Sequence, residues 1–257
     1  LEDKNRRFIG QRIPEAIAYL QAAVKLSSKT GDRFLESTIL LDLGDVYRLG
    51  GQYSQALTAY QQSLSIRQSL NDDTGKAIFL YRIAQTQRQL KQYAQAVEGL
   101  QETLIICQTF EDCLYVGREY STWKGNSAIL GELGETYFDA RQYPQALAYF
   151  QQLASSFSPT YDWTLAKNLG LTHEKLGNDD LALKYFDRIL NDRGPGCGDG
   201  ATSDATIVDA IRDETYQRNF GCGSNVDTEG WDLALSTATL HTAEFYRRRG
   251  QYAQAAT

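Results

Sequence analysis

The sequence has no methionine, two histidines, four prolines and four cysteines in 257 residues. Each shortage excludes something. Two histidines leave little for a His-rich metal site, and no Ser/His/Asp arrangement is legible around His173 or His241. Few prolines, with many Ala, Leu, Gln and Glu, favour helices. Long alternating Val/Ile/Thr runs are missing, so no sheet is expected. Without strands there is no strand-to-helix phosphate loop. No apolar run is long enough to cross a membrane. A basic surplus is missing too: the net charge is −6. That argues against a nucleic-acid partner, because phosphate binding needs a cationic face. The cysteines (Cys107, Cys113, Cys197 and Cys222) do not have structural zinc spacing. The acidic stretch Asp199 to Asp204 lacks the spaced ligands and terminal Glu of a calcium loop. The chain begins at Leu1 without an initiator, so we expect it to be a piece of a longer protein.

What is present is repetition. The stretch from Leu41 to Leu64 contains Leu43, Gly44 and Tyr47, then a Gly50-Gly51 turn, then Tyr53, Ala56 and Tyr60. Its turn spelling returns at Gln92 to Ala96, Gln142 to Ala146 and Gln251 to Ala255. The small residue of the second helix recurs at Ala16, Ala56, Ala96, Ala146, Ala182 and Ala255. Most of these spacings are near 40 residues, the period of a helical-hairpin solenoid. Units are expected near 1–30, 37–70, 77–110, 127–156, 163–190 and 236–257. In the first, a short helix ends at Gly10 and a second opens at Pro14, where a missing N–H costs nothing. Asn71 to Gly75 reads as an acidic-Gly linker, and Gln87 replaces the Tyr expected of its unit.

These residues resemble the tetratricopeptide repeat (TPR) family. The likeness is to a long-repeat subclass such as kinesin light chains and LGN-type adaptors, and in style to cyanobacterial members. It implies an all-α fold: a solenoid of antiparallel helical hairpins, wound as a right-handed superhelix. The Gly and Ala series then lets helix backbones approach, while Tyr47, Tyr60, Tyr137 and Phe150 are core wedges. His173 stands at a Tyr position and is expected in the core.

In the family, the first helix of each hairpin lines a concave groove. Carried over, that groove takes Thr38, Leu41, Asp42, Asp45 and Arg48 from the second unit. The third supplies Tyr81, Arg82, Gln85 and Arg88, and the fourth Glu132, Glu135 and Asp139. Lys167, Asn168, Leu171 and Glu174 follow, then His241, Glu244, Arg247 and Arg248. The i, i+3 and i, i+4 spacing keeps each set on one helix side. The charge is banded, basic with Tyr81 at the third unit and acidic at the fourth, which suits a peptide or protein partner of mixed charge. The family's carboxylate clamp is disfavoured, because Lys167 is followed one turn on by Leu171, and Glu132 follows Arg82 and Arg88. Binding without catalysis and without a cofactor is the function this implies.

Two segments break the period. Residues 114–123 carry Tyr115, Tyr120 and Trp123, either extra core or an aromatic patch. Residues 191–230 hold two Gly-Cys-Gly bends around a short helix at 203–220, and a Cys197–Cys222 disulfide is the expected clip. Paired cysteines would mean an oxidising compartment, and free thiols a cytosolic one. In an alternative reading, this insertion makes the chain a periplasmic or luminal carrier of a ligand or metal.

Overall fold

A computed structural model describes residues 2–109, 125–156, 163–191 and 228–248. These residues form ten α-helices and no strand: α1 (Glu2–Thr30), α2 (Arg33–Leu49), α3 (Tyr53–Ser69), α4 (Asp73–Gln89), α5 (Tyr93–Thr109), α6 (Asn126–Asp139), α7 (Tyr143–Ser156), α8 (Trp163–Lys175), α9 (Asp179–Asn191) and α10 (Thr228–Arg248). They fall into two compact units, 1–142 and 143–257. The aromatic segment at 114–123, the Cys197–Cys222 clip and the 203–220 helix lie outside the described residues. Among the described cysteines, Cys107 is buried and disulfide-bonded.

In the first unit each helix packs on the next, from α1 through α6. Leu43, Tyr47, Ala56, Ala59, Tyr60 and Ile83 form one cluster, with Ile17, Leu20 and Val24 of α1 packed against it. That apolar stripe explains one departure from the sequence reading. The chain does not break between Gly10 and Pro14; α1 runs straight through, with Pro14 inside it. Packing of the stripe on α2 outweighs the local cost of one proline.

The repeated turn has one geometry. Gln52, Gln92 and Gln142 each donate their backbone N–H five residues back, to Tyr47, Gln87 and Tyr137 at 2.8 Å. This is a Schellman closure, and it puts the residue before each Gln in the left-handed region. Gly51 sits there at φ 71°, and so do Lys91 (φ 60°) and Arg141 (φ 61°), which lack glycine's freedom. The Gln52 and Gln92 carbonyls then accept from Ala56 and Ala96, so one residue ends a helix and opens the next. The expected linker at Asn71 to Gly75 is another such turn. Asn71 is left-handed, Asp72 caps Gly75 N–H at 2.9 Å, and α4 already begins at Asp73.

The second unit holds α7 to α10. Ala166, Ala182, Phe186, Ile189 and Ala238 form its main cluster, from α8, α9 and α10. A Cβ built on Gly170 would stand 2.5 Å from the Phe186 ring. Gly44 is pressed in the same way against Tyr60. In these two hairpins the aromatic ring on the second helix lies where the first helix has no side chain.

Candidate functional site

The groove residues of the first unit come from α2, α4 and α6. Side chains three and four apart on each helix share a face, and here those faces join in one polar network. Asp45 on α2 is its first node. It accepts from the Tyr60 hydroxyl at 2.5 Å, and Arg82 Nε of α4 stands 3.3 Å away. Arg48, one turn along α2, lies 3.9 Å from the same oxygen. Arg82 also donates to Gln85 Oε1 at 3.2 Å, and Gln85 Nε2 donates to Glu132 on α6 at 3.1 Å.

Arg88 is the second node. Its guanidinium donates to Glu132 at 2.8 Å, Glu135 at 2.7 Å and Asp139 at 2.7 Å. All three carboxylates come from α6, so Arg88 ties α4 to α6 across the intervening segment. Burial works to lower its pKa, but Glu132 and Glu135 more than reverse this, and the guanidinium stays charged. Burial raises the Tyr60 pKa and nearby Asp45 adds to it, so the phenol keeps its proton and remains a donor. The Asp42 carboxyl is also raised, first by partial burial and then by Asp45.

Depth sorts these residues. Arg82 is 2% exposed and Tyr81 is also buried, so both belong to the packed layer rather than to a projecting basic band. The expected separation into a basic third unit and an acidic fourth is therefore not what the surface presents. Arg82 and Arg88 reach sideways into the carboxylates of α2 and α6, because a buried guanidinium requires partners. Asp42 and Asp139 are exposed, and Asp45 and Glu135 are half-buried.

Sequence reasoning missed the role of Tyr60, which it read as a wedge only. Its ring is a wedge and wholly buried, yet its hydroxyl reaches the groove. A signal was available: the matching positions are Phe150 and Phe186, so the extra hydroxyl called for a partner. Arg67 was also missed. It is buried on α3, pairs with Asp72 at 2.8 Å and lies 3.8 Å over the Phe34 ring.

The second unit brings fewer of its groove residues together. Glu174 of α8 lies 2.6 Å from His241 Nδ1 of α10, and the His241 ring stacks on Phe186. Lys167 and Glu244 are half-buried. Leu171 packs partly buried against the main cluster instead of standing in a groove. His173 is buried and stacks on Tyr185 at 5.6 Å. Burial lowers its pKa, so it is held neutral. Among the described residues no cluster of His, Cys, Asp and Glu could hold a metal, and no helix is long and apolar enough to cross a membrane.

Comparison with known proteins follows the same lines. Three sequence models of the tetratricopeptide repeat match, at residues 8–69, 79–104 and 132–196. No curated protein matches. Among solved structures, BtubC (BKLC) from P. vanneervenii aligns with TM-score 0.61 and 16% identity, covering 96% of this chain and 86% of that one. The near-identical TPR-like repeats of a kinesin light chain-type protein from Podosopora anserina align with TM-score 0.58 and 18% identity, over 72% of this chain and 90% of that one. The Rap conjugation gene regulator of plasmid pLS20, in complex with the Phr* peptide, gives TM-score 0.55 and 18% identity, over 89% of this chain and 53% of that one. Identity this low carries fold alone. Paired antiparallel helices, Gly-against-aromatic contacts, the recurring turn and three repeat matches agree, and the chain belongs to the tetratricopeptide repeat proteins.

Proposed function

We propose that this chain is an interaction scaffold that binds a protein or peptide partner on the shared face of α2, α4 and α6, and that it performs no chemistry of its own. The observation that carries this is the continuity of that face. Side chains from three successive first helices form one network, from Tyr60 and Asp45 to Asp139, while the opposite helix sides are sealed by core packing. A network fixed in this way presents a pre-organised polar surface, which lowers the ordering cost of binding. The solved Rap regulator holds a peptide on a related fold, which supports the reading by analogy.

Site-specific photocrosslinking tests it. A photoreactive amino acid is placed at Arg48 or Asp139 on the shared face, and at the exposed Gln62 on α3 as control. Partners from a cell extract should crosslink from the first two positions and not from Gln62. Equal crosslinking from all three would remove the face from consideration.

A further inference from the structure

The charge on the shared face of α2, α4 and α6 is not balanced. Three guanidiniums lie on it, those of Arg48, Arg82 and Arg88, against five carboxylates: Asp42, Asp45, Glu132, Glu135 and Asp139. Every one of the three cations is already engaged with a carboxylate of the same face. The two best-paired cations also lie deepest, Arg82 at 2% and Arg88 at 17% side-chain exposure, whereas Asp139 stands at 38%. The two exposed members of the set, Asp42 and Asp139, are both carboxylates, and the face carries two more negative than positive charges. The Asp42 carboxyl is raised by burial first and by Asp45 second.

Resting on the scaffold reading above, we infer that the partner of this face is an extended peptide segment bearing two basic side chains, one for each acidic end. Asp42 and Asp45 mark one end on α2, and Glu135 and Asp139 the other on α6. Asp45 and Arg82 bridge α2 to α4 and Arg88 bridges α4 to α6, so at helix spacings of about 8–10 Å the two ends are roughly 16–20 Å from each other. An extended chain advances about 3.3 Å per residue, which sets the two basic residues about five or six positions apart. Lys or Arg at that spacing would supply the missing charge without displacing Arg88. An acidic peptide would instead face uncompensated carboxylates at both ends.

The test uses the whole chain, immobilised, against a phage library of random twelve-residue peptides. Captured peptides should be enriched in Lys or Arg pairs about five or six apart. Their binding should fall at least tenfold in an Asp42→Asn/Asp139→Asn chain and weaken steeply with added salt. A second chain, Asp45→Asn/Glu135→Gln, should give the same loss, and circular dichroism should show full helicity for both. Enrichment of acidic or apolar peptides lost in these variants would overturn the inference yet leave the scaffold reading standing. Basic peptides bound equally by all chains would overturn both, since binding would then lie elsewhere. No enrichment at all would also overturn both.

Discussion

Glycine is used here in two opposite ways, and substitution separates them. At Gly170 an added methyl would lie 2.5 Å from the Phe186 ring, which is buried and has nowhere to move. At Gly99 the nearest atom is Ala84 Cβ at 3.5 Å, an ordinary contact. Gly170→Ala should therefore destabilise by about 1–3 kcal/mol through overpacking. Gly99→Ala should stabilise by up to about 1 kcal/mol through helix propensity. Urea titrations followed by circular dichroism read both. A loss at Gly99 equal to that at Gly170 would refute the geometric distinction. His173 offers a second residue-scale prediction. Its pKa is lowered from 6.5 by burial, so the unfolded chain binds the proton more readily than the folded one. Stability from this residue is present above pH 6.5 and falls as the pH drops below it, by up to about 1.4 kcal/mol per unit. His173→Tyr should flatten that decline, and identical slopes for the two chains between about pH 7 and about pH 5 would rule it out.

Between elements, the recurring turn and the Arg88 tie do different work. The turn needs only backbone hydrogen bonds and a left-handed residue, and it tolerates Lys91 and Arg141 there because two helices fix both sides. The tie is a side-chain device joining α4 to α6, which are not neighbours in sequence. Removing the cation leaves three carboxylates facing one another. Arg88→Ala should destabilise the first unit by about 1–3 kcal/mol, and Arg88→Lys should recover only part of that, since a lysine cannot span three acceptors in a fixed plane. Amide hydrogen exchange on α4 and α6 is the appropriate measurement. Unchanged protection in Arg88→Ala would show that apolar packing alone joins these helices.

For the whole molecule, the repeat sets the size of the core problem. Within each compact unit every described helix packs on the next, so neither unit needs one large interior. The repeat was legible because its signals are local and redundant: the Ala series, the Leu-Gly pairs and the Gln-Tyr turn each mark the same hairpin. Part of the site was legible too. Helical spacing grouped Asp45, Arg48, Gln85, Arg88, Glu132, Glu135 and Asp139, and these side chains join in one polar network. Depth was not legible. Arg82 and Arg88 were read alike from their helical spacing, yet the first is nearly inaccessible and the second reaches water.

The sequence by itself determined the helical class, the hairpin register and the turn positions. Each depends on residues within a few places of one another, through propensity, capping and the 3.6-residue period. Tertiary structure alone decided that Pro14 stays inside a helix and that Tyr60 is both wedge and donor. It also decided that Arg48, Arg82 and Arg88 are spent on neighbouring carboxylates. Those outcomes depend on side chains distant in sequence, such as Tyr60 and Asp45 or Arg88 and Glu132, meeting in space. Their energies come from burial and pairing, which no local stretch of sequence contains.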